Sequence, residues 1–257
     1  MSNWLTIFIL FFSVLSAGML TFVFKDFFAS IKHYVTTVGV AFVLSLICVH
    51  ILPEIFHNHV SNIGAYILLG FVFQIFLELF SRGVEHGHVH HNHGHANHSI
   101  NRTLISMFFG LCIHSFIEGI PLFLIENDAV MHGGHTHSIV ANQEFSKVFF
   151  WAILGHKVPV SIVLMLFLIQ SDLKKRTVLS LFVLFASMSP LGGLVGLELQ
   201  GVSWVNHLST ILLAVTTGML IHITTLLVFE EYHDQKDKLK NIALIILGLG
   251  LGLFVFG

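Results

Sequence analysis

Two short stretches of this 257-residue chain carry side chains able to do chemistry where almost everything around them is apolar. One reads Leu111-Cys-Ile-His114-Ser115-Phe-Ile-Glu118-Gly119-Ile-Pro121, the other Leu154-Gly155-His156-Lys157-Val158-Pro159-Val160-Ser161. His114 and Glu118 are four residues apart, so on a helix they share one face about 6 Å along the axis. A neutral imidazole and a carboxylate at that spacing can hold one divalent ion. A proline within a helix leaves the carbonyl four residues earlier without its usual partner, which frees Ile117 ahead of Pro121 and Gly155 ahead of Pro159. Those carbonyls are sequence neighbours of Glu118 and His156, and exposed backbone oxygen at membrane depth is a frequent mark of ion sites in transporters. A third pair, His50 and Glu54, is again four apart around Pro53 and is followed by His57 and His59. Imidazole and carboxylate without thiolate suit Zn²⁺ best and, less selectively, Fe²⁺, Mn²⁺ or Cd²⁺, whereas Cu⁺ prefers sulfur.

The chain holds 19 His, more than its 12 Lys+Arg or 14 Asp+Glu. His86, His88, His90, His91, His93, His95 and His98 crowd one loop, a composition that captures metal without forming one closed site. A plain polar linker is the alternative reading. His132, His135 and His137 make a smaller cluster near Glu126 and Asp128, read as gathering ions.

The elements that position these groups follow from composition. Hydrophobic residues make up 55% of the chain and charged residues 10%, against about 25% charged in a soluble domain. Mean hydropathy is +0.86, so lipid is the expected solvent. A soluble enzyme, a disordered chain and a disulfide scaffold are excluded, and a net charge of -2 offers no basic field for nucleic acid. Cys48 and Cys112 lie in apolar runs and read as small buried residues. A membrane helix needs roughly 20 apolar residues, and eight stretches qualify: Trp4 to Phe24, Tyr34 to Pro53, Ile63 to Phe80, Leu104 to Ile125, Val148 to Ile169, Val178 to Leu197, Ser209 to Phe229 and Leu239 to Gly257. The first lacks a basic leader and is long enough to span, so it is expected to stay in the mature protein.

The loops after spans one, three, five and seven carry Lys25, Lys32, Arg82, Arg102, Lys174, Lys175, Arg176, Lys236, Lys238 and Lys240, whereas the opposite loops carry only Lys147. The positive-inside rule then places both termini outside the cytoplasm. The expected fold is all-α: a polytopic membrane protein of eight transmembrane helices forming one domain over residues 1–257, with the His-rich cytoplasmic loop at 81–102. His50, Glu54 and the second His cluster fall at the outer mouth.

Ionisable groups in hydrocarbon cost roughly 2.5 to 3.5 kcal/mol each and normally face an internal cavity. That points to His114, Glu118 and His156 as one pathway site. A structural Glu118–Lys157 ion pair is the competing reading. Gln74 and Glu78 are expected to snorkel or pair at the cytoplasmic end, His207 and His222 to make helix-to-helix hydrogen bonds, and the 26 Phe to be lipid-facing bulk.

These residues resemble the ZIP (Zrt/Irt-like) family of divalent-metal transporters. The resemblance rests on His-Ser-Phe-Ile-Glu-Gly at 114 to 119, His-Lys-Val-Pro at 156 to 159, the His loop between spans three and four, His50-Ile-Leu-Pro-Glu54, Ser189-Pro190-Leu-Gly-Gly, and the stretch from Gly218 to Glu231. It implies a 3+2+3 inverted-repeat bundle importing Zn²⁺ or related ions into the cytosol by alternating access. His114, Ser115, Glu118 and His156 would be pathway ligands, and His50 and Glu54 entrance residues. Members with a two-metal site carry a carboxylate or amide after the span-five His and a further carboxylate four residues past it. Here those positions hold Lys157 and Val160. The ammonium of Lys157 is therefore expected to stand in for a second ion, leaving one metal, with water or Ser189 completing its shell. No cofactor is expected, Zn²⁺ being substrate. The expected partners are the ion and the bilayer, not nucleic acid, with a homodimer left open. The expected location is a cytoplasmic membrane, and short loops lean toward a prokaryotic one. The alternative function is an intramembrane metal-dependent hydrolase, which the missing HExxH pattern disfavours.

Overall fold

The computed structural model describes residues 3–57, 60–81, 96–124, 137–199, 205–233 and 238–256. Among them there is no strand. In chain order the helices are α1 (Asn3–Val23), α2 (Lys25–Leu46), a π-helical turn (Ile47–Ile51), α3 (Leu52–His57), α4 (Ile63–Ser81), α5 (Ala96–Gly119), α6 (Pro121–Leu124), α7 (His137–Gln170), α8 (Lys175–Glu198), α9 (Val205–His233) and α10 (Lys238–Phe256). Seven stretches are long and apolar enough to cross a membrane, and α4 contributes a shorter apolar stretch, Ile63–Leu79. These eight coincide with the eight stretches expected from hydropathy.

Helix ends depart from the hydrophobic edges because helices stop at breakers rather than where polarity changes. No Gly or Pro separates Gly94 from Gly110, or Gly134 from Gly155. Accordingly α5 begins at Ala96, inside the 81–102 stretch, and α7 begins at His137, eleven residues before Val148. The loop expected after span one is absent. Only Phe24 separates α1 from α2 (φ -111, ψ 46), so Lys25 and Lys32 belong to the start of α2. From Lys25 to His57 the helical rod holds 33 residues. At 1.5 Å per residue it is about 50 Å long, well over a hydrocarbon core of about 30 Å.

Packing falls into helix pairs: α4 with α9, α2 with α10, α5 with α8, and α7 with α1 and α2. Glycine lets several of these backbones touch, as is common between membrane helices. A Cβ on Gly70 would strike the Val215 carbonyl, and one on Gly218 the Ile67 carbonyl, closing α4 against α9 from both sides. Gly248 and Gly252 do the same for α10 against Val38, Phe42 and Ser45 of α2. Gly119, Gly192 and Gly196 seam the α5–α6 junction to α8. The phenylalanines divide between two roles. Phe8, Phe12, Phe76, Phe109 and Phe254 face outward, whereas Phe123, Phe149, Phe182 and Phe185 are among the largest fully buried side chains. Lipid-facing bulk therefore accounts for only part of them.

Candidate metal centre

Glu118 stands one residue before the end of α5, where Gly119 packs on α8 and Pro121 starts α6. His114 sits one turn earlier on the same face. His156 and Lys157 come from the middle of α7, which runs unbroken through Pro159. The proline-freed carbonyls do not serve the site as expected. Ile117 O accepts the N–H of Ile120 at 3.3 Å. Gly155 O lies against Gly39 of α2, where the missing side chain also makes room for the Pro159 ring.

The four side chains converge around Glu118, which is 0% exposed. Its Oε1 lies 2.7 Å from His156 Nε2, and its Oε2 lies 2.7 Å from Lys157 Nζ and 3.7 Å from His114 Nε2. The donor atoms of His114, Glu118 and His156 all fall within 4.8 Å of one another, and no other such group of three occurs among the described residues. A tetrahedral ion with bonds of about 2.1 Å wants its ligand atoms roughly 3.4 Å apart. The 2.7 and 3.7 Å separations bracket that figure.

Ring orientation makes both histidines ready ligands. His156 Nδ1 is 2.9 Å from Ala152 O, a carbonyl that can only accept, so Nδ1 carries the proton. His114 Nδ1 is 3.0 Å from Gln74 Oε1. With both Nδ1 atoms donating, the Nε2 lone pairs face the carboxylate, an arrangement typical of metal-bound imidazole. Neither Nε2 atom nor either Glu118 oxygen has an aligned hydrogen-bond partner, despite the short approaches. A bare lone pair and a carboxylate oxygen at 2.7 Å repel, so either a proton on Nε2 or a metal cation has to lie between them. The geometry therefore asks for positive charge at this point.

Lys157 supplies part of it. The ammonium is buried, donates a hydrogen bond to Ser115 Oγ at 2.7 Å, and lies 5.9 Å from the centroid of the Phe185 ring. Ser115 is thus tied to Lys157. Ser189 is buried on α8 with its carbonyl against Gly119 and its Oγ unpartnered by hydrogen bonds. His50 sits half-buried in the π-helical turn, its ring edge-to-face with Phe256 at 6.2 Å and its Nε2 unpartnered. Glu54 is half-buried on α3, and neither joins the three-ligand group. His59, His86, His88, His90, His91, His93, His95, His132 and His135 lie outside the described residues, as do the side chains of His98 and His137.

One polar residue lies elsewhere than expected. Gln74 neither snorkels nor pairs at the helix end; it is 1% exposed and holds His114. Counting from Ile63 would have shown it, since eleven residues of helix place Gln74 about 16 Å in, near mid-membrane. Glu78 does pair, with His222 Nε2 at 2.7 Å, which also gives His222 its expected helix-to-helix contact. A cavity of about 110 Å³ is lined by His114, His156 and Lys157, by Glu78 and His222, and by Lys32 and Gln170 at the helix ends.

The sequence profile of the ZIP zinc transporter family matches residues 88–256, well over half of the chain and all of α5 to α10. No curated protein and no solved structure matches the chain significantly. The matched stretch contains every residue of the buried cluster except Gln74, and a buried His/Glu site among membrane-length helices suits a family that carries divalent metal ions through the bilayer. The chain belongs to the ZIP zinc transporter family.

Proposed function

We propose that this protein imports Zn²⁺ into the cytosol, holding one ion at a time between His114, Glu118 and His156, with Lys157 in place of a second divalent ion. The observation that carries this is the convergence of two Nε2 lone pairs on a buried carboxylate that itself lacks aligned hydrogen bonds. Import is supported by the lysines and arginines, ten of which fall at the end assigned to the cytoplasm. The cavity reaches from the site toward Lys32 and Gln170 at that same end, as in an inward-open carrier. An inverted repeat is supported by the packing. Matching the first three spans to the last three turns the α4–α9 pair into α10–α2 and the α5–α8 pair into α7–α1, and all four pairs occur. His50 and Glu54 are assigned to the entrance, Ser115 to holding Lys157, and Ser189 to the ion's remaining coordination. The membrane is assigned as a cytoplasmic one.

Zn²⁺ uptake into proteoliposomes tests the reading. Uptake by the intact protein and its loss in His114→Ala are expected; uptake unchanged by His114→Ala would sink the proposal. Replacing Lys157→Asp should raise the bound Zn²⁺ of purified protein from one ion toward two, and an unchanged count with unchanged uptake would remove the stand-in role of the lysine.

A further inference from the structure

We propose that a cavity at the junction of α1, α2 and α8 holds the headgroup of an anionic phospholipid, drawn from the leaflet assigned above to the cytoplasm. Lipid binding here would hold whether or not the chain carries Zn²⁺.

The cavity, of about 600 Å³, opens where Phe24 joins α1 to α2 and where the chain turns from α7 into α8. That volume falls among those of small-ligand sites, about 300 to 1,000 Å³. None of the residues that line it also lines the cavity beside His114 and His156, so it stands apart from the proposed ion path. Its depth suits a headgroup. The 21 residues of α1 rise about 32 Å, close to the hydrocarbon thickness of about 30 Å. Phe22, in the last turn of α1, therefore stands at the membrane boundary.

The wall combines two lysines with apolar surface. Lys25 is the first residue of α2 and Lys175 the first of α8, and Phe22, Phe27 and Leu173 line the cavity with them. Among the described residues neither lysine makes a hydrogen bond or an ion pair, and Asp26, the one carboxylate in the wall, is not paired with them. Residues 22–27 and 169–178 together carry Lys25, Lys174, Lys175 and Arg176 against Asp26 and Asp172, a surplus of two positive charges. An anionic phosphodiester complements that surplus. Soluble phosphate would need no apolar wall, whereas a phospholipid brings glycerol and acyl chains with its phosphate. Met19, Leu20 and Val23 of α1 are exposed and extend the apolar surface about one helical turn from the cavity into the bilayer, which gives those chains a place to lie. Basic pockets between membrane helices at the cytoplasmic surface are a recurrent way of holding anionic headgroups.

The test is native mass spectrometry of the full-length protein in detergent, titrated with phosphatidylglycerol or phosphatidylcholine of matched acyl chains. Intact protein should prefer phosphatidylglycerol. Lys25→Gln and Lys175→Gln should each weaken its binding about fivefold, and the two together more than tenfold, from the attraction of each lysine to an anionic headgroup. Lys175→Arg should retain it. Lys238→Gln on α10 should leave it unchanged. All three lysines are exposed, so replacing them spares the helix packing. Leu173→Trp, which fills the cavity without altering a charge, should weaken binding as well. Phe27→Ser removes part of the apolar wall at an exposed position and should do the same, so the wall is tested even if Leu173→Trp does not fold. An excess of sn-glycerol 3-phosphate should leave the lipid in place. The proposal is overturned by equal binding of the two lipids, by an equal loss in Lys238→Gln, which would mark diffuse surface charge, or by no loss in either wall variant. Displacement by glycerol phosphate overturns it too, in favour of a soluble anion.

Discussion

Replacing Lys157→Met removes one charge from the most crowded part of the molecule while keeping the length of the side chain. With the ion about 2.1 Å from one oxygen of Glu118 and Nζ 2.7 Å from the other, ion and ammonium stand roughly 5 Å apart. Between charges of +2 and +1, at an effective dielectric of about 20, that separation corresponds to about 6 to 7 kcal/mol of repulsion. Water and neighbouring dipoles respond to the change, so we take less than half of this as surviving: about 2.7 kcal/mol, a hundredfold tighter site. The protein without metal should become less stable, by about 3 to 5 kcal/mol, because Glu118 is left as a buried charge with its main partner gone. Saturating Zn²⁺ should recover much of that loss. The assay is thermal unfolding of purified protein over a Zn²⁺ series, paired with equilibrium dialysis. Flux should fall even though binding tightens, because release becomes slow. Zn²⁺ affinity equal to or weaker than that of the intact protein, in a variant that still unfolds cooperatively, would refute the electrostatic argument for Lys157.

Other expectations concern groups that act through their neighbours. Gln74→Leu removes the acceptor that holds the Nδ1 proton of His114 and should weaken Zn²⁺ binding by about 10- to 100-fold, with Gln74→Glu retaining more of it; dialysis against Zn²⁺ reads both. Gly218→Ala pushes a methyl group into the Ile67 carbonyl and should destabilise the fold by about 1 to 3 kcal/mol, seen as a lower melting temperature in detergent. Deleting residues 86–98 should change the apparent KM or the regulation of uptake while leaving transport in place; complete loss in well-expressed protein would relocate the main site to that loop.

The buried cluster was legible in sequence because lipid makes ionisable side chains conspicuous: His114, Glu118, His156 and Lys157 stand out against apolar neighbours. Hydropathy likewise located the seven membrane-length stretches and the shorter apolar one in α4. Gln74 was misjudged because hydropathy marks where a span lies, not how deep a residue sits within it. The proline-freed carbonyls turn away from the cluster for a different reason. A proline frees a carbonyl, but its helix neighbours decide who uses it, and here α2 offers Gly39 to Gly155 O. The helix ends were displaced because Gly94 and Gly134, not the bilayer boundary, precede the starts of α5 and α7.

The glycine seams set which parts of the molecule can travel together. Where backbone rests on backbone, as between α4 and α9, one helix cannot ratchet by a turn without driving a carbonyl into a Cα. Each such pair is a single mechanical part. Glu78 and His222 ride on one part, so their spacing is preserved however the bundle rearranges. His114 and Glu118 ride on α5, seamed to α8, while His156 and Lys157 ride on α7, seated on α1 and α2. The proposed grip on the ion is therefore a joint between two parts, and a motion that opens the joint would let go of the ion.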